Sequence, residues 1–151
     1  MKLLLDTNAL IDLVANRIPY AADVRKLCIA ATFDDVQLWA AVQSYADAFY
    51  VLRKSAPERK VKDALLATLE FIRPCSTYAA DLRPALESNW PDVEDYLVAH
   101  ASKHVSAAFL VTRDADMARR SPIKALTARE FLEYLESEKG LVYDEVPLPD
   151  E

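Results

Sequence analysis

The chain opens on a short apolar run, Lys2-Leu3-Leu4-Leu5, that passes directly into Asp6, Thr7 and Asn8. A run this short predicts a strand buried on both faces. The apolar positions from Ala9 to Ala15 then predict the start of a helix, which places Asp6 at the carboxyl end of the strand. Ligands bind at that edge in open parallel sheets, so a carboxylate emerging there is a candidate for metal or phosphate chemistry. A purely structural account has Thr7 or Asn8 capping the helix while Asp6 supports the turn.

Further along, Pro19 opens an amphipathic helix ending near Phe33, and Val36 to Ala40 reads as a second, interior strand. Val42, Tyr45, Ala46, Phe49 and Leu52 recur at helical spacing within a helix expected over Ala41 to Lys54. Pro57 opens another, expected to reach Ile72 on the stripe Leu65, Leu66, Leu69 and Ile72. A short strand is expected within Pro74 to Thr77, then a helix over Tyr78 to Glu87, interrupted near Pro84. Asp92 is placed to cap the next helix, with Asp95 at its third position and Val93, Tyr96, Leu97 and Ala101 facing the core.

Ala107 to Val111 repeats the grammar of the opening: a buried strand running into Thr112-Arg113-Asp114-Ala115-Asp116. Two strands that end in hydroxyls and acids suggest one shared site. A short helix over Met117 to Arg120, an edge strand over Ile123 to Leu126 and a final helix follow. Thr127 and Glu130 have the spacing of a capping box for that helix, and Gly140 stands where its C-cap belongs. Leu141 to Val146 is expected to add an edge strand, and 147–151 to form a frayed tail.

Length and composition narrow the function. The 151 residues fit one domain, taken as 1–146, with one core and no need of staples. Cys28 and Cys75 form no spaced motif and suit a reducing compartment. No stretch is apolar and long enough to span a bilayer, so a cytoplasmic protein is expected. The net charge of −6 argues against a bulk electrostatic nucleic-acid binder but not against a nuclease, whose bound cations reverse the local sign. A single glycine, Gly140, excludes a glycine-rich phosphate loop. Two histidines, His100 and His104, exclude a multi-histidine zinc centre.

Asp47 is the sole acid in its otherwise apolar helix, a costly residue to bury unless paired or bound to a cation. Asp92 and Asp95 lie on adjoining parts of one helical face. Arg53 and Lys54 suit the dipole at a helix C-terminus, and Arg113, Arg119 and Arg53 are the candidate phosphate contacts. A haloacid-dehalogenase-like phosphatase would want an acid at position 8, where Asn8 stands, and the acids and lysine of a receiver domain find no convincing places.

As an ordered set these residues resemble the PIN-domain family. Asp6-Thr7-Asn8 is similar to its opening motif, and Asp47 to its second acid, commonly glutamate. Asp95 within Asp92-Val93-Glu94-Asp95-Tyr96 is similar to the third, and Thr112-Arg113-Asp114 to the block after the fourth strand. The resemblance spans nearly the whole chain. It implies a three-layer α/β/α fold with a mostly parallel central sheet. It also implies a Mg²⁺- or Mn²⁺-dependent ribonuclease, commonly the toxin of a toxin–antitoxin pair and commonly a homodimer. Asp6, Asp95 and Asp114 would hold the metal, as hard oxygen ligands suit such ions. Asp47, one methylene shorter than glutamate, would complete the cluster or orient the water. Asp116 is the alternative to Asp114. Thr7, Asn8 and Thr112 would orient ligands by hydrogen bonds. The rival expectation is a PIN-like module that binds RNA or protein without catalysis.

Overall fold

The structure is a computed structural model that describes residues 1–145. Five strands form one sheet in the order β3-β2-β1-β4-β5. They are β1 (Lys2–Leu5), β2 (Gln37–Ala41), β3 (Ile72–Cys75), β4 (Phe109–Val111) and β5 (Ala125–Leu126), and every pairing is parallel. β1 occupies the centre, with Leu5 in register with Ala40 on one side and Val111 on the other.

Side-chain alternation along the strands divides the core in two. Leu3 and Leu5, Leu38 and Ala40, and Phe109 and Val111 face one layer. That layer holds α1 (Thr7–Val14), α2 (Tyr20–Thr32), α3 (Val42–Leu52), α4 (Glu58–Thr68) and α8 (Ala128–Lys139). Leu4 and Leu110 face the other, with α6 (Val93–His104) and α7 (Ala115–Arg120). A 3-10 turn (Ala79–Asp81) leads into α5 (Leu82–Glu87), beside α6. The three leucines of β1 are fully buried because both layers cover them. The fold is thus three-layered, and its sheet is parallel throughout the described residues.

The chain winds outward from β1 through β2 to β3, with connecting helices on the first face. It then returns across β1 to β4 with α6 on the opposite face. This reversal keeps each crossover right-handed and opens a crevice at the carboxyl ends of β1 and β4. Asp6, which follows Leu5, and Thr112, which follows Val111, therefore emerge side by side.

Three expected elements are corrected. The fourth helix stops at Thr68 rather than Ile72, which instead pairs with Leu38 at the start of β3. Pro74, two residues on, disfavours helix and is tolerated here because β3 is an edge strand. Leu66 and Leu69, counted in the apolar stripe, are exposed, whereas Leu65 is buried. The first helix is capped by Asp6, not by Thr7 or Asn8. Residues 141–145 form no strand, although Tyr143 packs into the core. Val146 and the expected 147–151 tail lie outside the described residues. The final helix is as expected, with a complete Thr127–Glu130 capping box and Gly140 left-handed at φ 64°. Among the described residues no helix is long and apolar enough to cross a membrane.

Candidate metal centre and its surroundings

Asp6 is the best-fixed residue of the crevice. Its backbone N–H donates to Val111 O at 2.9 Å, which ties it to the end of β4. Oδ1 accepts from the Thr7 N–H at 2.7 Å and Oδ2 from the Thr112 hydroxyl at 2.9 Å. The side chain is only 3% exposed. Burial raises its pKa above the usual aspartate value and the charge of Asp114 adds to the rise, while the bonds from Thr112 and Thr7 oppose it.

Asp95 lies in the first turn of α6, half-buried, with its N–H donating to the capping Asp92. Burial pushes its carboxyl up to about 6, assisted by the charges of Asp92, Asp6, Asp114 and Asp116. Asp114 caps α7, its Oδ1 accepting from the Asp116 and Met117 N–H groups at 3.0 and 3.1 Å. Thr112 links these acids, because its hydroxyl both donates to Asp6 and accepts from the Asp114 N–H at 3.1 Å. The ends of β1 and β4 and the first turn of α6 thus place Asp6, Asp95 and Asp114 near enough for their charges to act on one another. Asp116 forms ion pairs with Arg119 and Arg120. Of the two candidates for the fourth acid, Asp114 acts on both Asp6 and Asp95, whereas Asp116 acts on Asp95 alone.

Asp47, on α3, forms a second acidic pair with Glu94, a residue not anticipated from the sequence. Asp47 Oδ1 accepts from Gln43 Nε2 at 3.4 Å, and Oδ2 is buried without a hydrogen-bond partner. Burial, and then the neighbouring Asp47, push Glu94 up to about 8. Glu94 therefore keeps its proton near neutrality, where two bare carboxylates side by side would repel. The signal for Glu94 was its place between the cap Asp92 and Asp95 at the start of α6.

Several expected supporting residues act differently. Thr7 supports Asp6 through its backbone, while its hydroxyl donates to the buried Ser44 of α3 at 2.8 Å. Asn8 forms no side-chain hydrogen bond among the described residues. Arg113 is not a free phosphate contact: Nε and Nη2 donate to Asp12 at 2.9 and 3.2 Å. Arg119 is held by Asp116, and Arg53 lies over the Tyr50 ring with its Cζ 4.6 Å from the centroid. His100 Nδ1 contacts Tyr96 O at 2.8 Å and His104 Nε2 contacts Asp81 at 2.7 Å, so both serve local structure.

The donor set suits a hard divalent cation in its chemistry: all oxygen, largely carboxylate, with one buried carboxylate oxygen lacking a partner. Its geometry is looser. Among the described residues no three His, Cys, Asp or Glu side chains are arranged to hold a metal ion.

A doubly wound parallel domain with acids gathered at its switch point defines the class of protein. A family model described as PIN domain matches residues 2–116, and the chain belongs to that family. Three solved structures share the fold. VapBC2 from Rickettsia felis, bound to a DNA fragment from its promoter, is 19% identical with a TM-score of 0.64, covering 84% of this chain and 98% of that one. VapC20 of Mycobacterium tuberculosis, a sarcin–ricin-loop-cleaving toxin, is 11% identical with a TM-score of 0.61, covering 78% and 93%. PAE2754 from Pyrobaculum aerophilum is 18% identical with a TM-score of 0.66, covering 91% and 96%. A sequence search against curated proteins finds no match.

Proposed function

We propose that this PIN-domain protein is a metal-dependent ribonuclease acting in the cytoplasm as the toxin of a type II toxin–antitoxin pair. The observation that carries the nuclease reading is the mutual charge of Asp6, Asp95 and Asp114, which come from three different elements. Arg113 also acts on Asp6, but its guanidinium is already held by Asp12. Acids placed together in this way favour the entry of a cation. Asp6, Asp95 and Asp114 would hold Mg²⁺ or Mn²⁺, with Asp47 completing the cluster. Such an ion supplies charge neutralisation at the phosphate and a bound water of lowered pKa.

The chain's own residues prepare the site. Thr112 fixes the Asp6 carboxylate from one side and the Thr7 N–H fixes it from the other. The carboxylate is thereby oriented before substrate arrives. Glu94, raised to about 8 by burial and the neighbouring Asp47, keeps a proton near neutrality, and its carboxylate would add to the charge that a bound cation meets there. No histidine is required as base, since both are committed elsewhere. RNA is the proposed substrate, and a cognate antitoxin and a second copy of this chain are the proposed partners. The likeness in fold to a toxin–antitoxin complex supports the partner reading.

One observation favours a second reading, a PIN-like module that binds RNA or protein without catalysis: no three acids among the described residues form a ready metal cage. The two readings part in one assay. Wild-type protein with Mg²⁺ or Mn²⁺ is expected to cleave a structured RNA, and Asp6→Asn to abolish cleavage. Equal cleavage by the variant refutes the site, and RNA binding without cleavage by either protein selects the module.

A further inference from the structure

Beside the acidic crevice lies a cavity of about 330 Å³ between α1, α2 and the start of α8. Its volume is within the range of small-molecule sites. Resting on the nuclease reading, we propose that this cavity receives a nucleobase of the RNA adjacent to the cleaved phosphate.

Four features favour a base as the occupant. The first is the lining, which is apolar at Ala9, Val24, Val111 and Ala128. The second is a pair of flat groups at the rim. The Arg113 guanidinium lies over the Tyr20 ring, with Cζ 4.2 Å from the centroid, and Tyr20 remains 43% exposed. Planar guanidinium and aromatic groups are the surfaces on which unpaired bases stack. The bidentate bond to Asp12 holds Arg113 in one orientation, so this platform is ordered before RNA binds.

The third feature is charge balance. The two arginines of the cavity are each matched by an acid, Arg113 by Asp12 and Arg129 by Asp23. A phosphate gains little in a neutralised cavity. A flat neutral group with donors and acceptors on its edge suits it better, and the Arg129–Asp23 pair can meet such an edge. The fourth feature is position. Thr112 lines the cavity and also donates to Asp6 Oδ2 at 2.9 Å. A nucleotide with its phosphate at Asp6 therefore has this cavity within reach of its base.

The test is binding without metal, so that it stands apart from catalysis. Wild-type protein and Tyr20→Ala are titrated in EDTA with a short mixed-sequence RNA and with an abasic oligomer of the same length. Stacking on one aromatic is worth about 1–3 kcal/mol per base, so Tyr20→Ala is expected to weaken the base-bearing RNA about tenfold. It should leave the abasic oligomer unchanged. Equal affinities of the two oligomers for wild type, or an equal effect of the substitution on both, overturns the proposal. N-acetyltryptophanamide serves as a peptide-like probe: its binding at Tyr20, with none by adenosine or cytidine, assigns the cavity to a protein partner and overturns it too. Failure here leaves nuclease activity to be judged by Mn²⁺-dependent cleavage and its loss in Asp6→Asn.

Discussion

Two buried aspartates stand six positions apart on the same segment, one capping α1 and one inside it, and they meet opposite company. Asp12 is 1% exposed, and Arg113 grips both of its oxygens while Arg17 approaches to 3.7 Å. Asp6 is 3% exposed and faces Asp95 and Asp114, with only hydroxyl and amide donors on its own oxygens. Burying a carboxylate is costly in either place. At Asp12 the compensation is internal and permanent, so the residue fastens α1 to the loop after β4. At Asp6 the compensation is incomplete, and that is where a cation from outside has a role. A buried acid is therefore informative through its neighbours rather than through its burial.

Exchange of the two roles should show in different measurements. The largest expected effect is Asp6→Asn, which should lower RNA cleavage at least about 100-fold, more than loss of a supporting group costs. Thermal stability should stay equal or rise, because a buried acid among acids is removed. Arg113→Met does the reverse to Asp12. It leaves a buried carboxylate with only the more distant Arg17, and should cost about 3 kcal/mol of folding stability by denaturant titration. A stability loss in Asp6→Asn as large as that in Arg113→Met would erase the distinction.

Next in size is Thr112→Val, which keeps the shape but removes the donor to Asp6. A reduction in cleavage of about 10- to 100-fold is expected, with metal affinity weakened in parallel. The smallest effect concerns pH. The Asp95 carboxyl is raised from 3.8 to about 6 in the folded chain, so the folded state binds more protons than the unfolded one between those values. Stability from this residue is complete below the unfolded value and is lost as pH rises through about 6. Because Asp95 is half open to solvent, the expected loss is about 1 kcal/mol rather than the full linkage value. Asp95→Asn should flatten this part of the pH–stability curve, as read from melting temperatures.

The contrast between the two aspartates also marks what the sequence could reveal. Asp6 was legible because a three-leucine strand fixes its position and the Val111–Asp114 segment repeats its pattern. Periodicity reports which face a residue occupies, and this sufficed for β1 and for the capped final helix; on α6 it chose Val93, Tyr96 and Leu97 with Ala101, whereas Val98, Ala99, Ala101 and Ser102 are the buried residues. It does not report which partner lies across the fold. Arg113 therefore read as a phosphate contact, although Asp12, 101 positions away, claims it. Asp12, a lone acid among Ala9, Leu10, Ile11, Leu13 and Val14, is costlier to bury without a partner than Asp47 in its apolar helix. Asp12 and Ser44 were both missed for this reason. Ile72 was misassigned because one apolar residue fits a helical stripe and a strand start equally well.

The central claim is that Asp6, Asp95 and Asp114 constitute a cation site. Its most direct test is a Mn²⁺ titration of wild-type protein and Asp6→Asn above about pH 7, where the Asp95 carboxyl is ionised, followed by the electron paramagnetic resonance of free Mn²⁺. The expected result is saturable binding of Mn²⁺ by wild type that weakens as pH falls through about 6 and is lost in Asp6→Asn. Absence of binding by wild type, or binding that Asp6→Asn leaves intact, would contradict it.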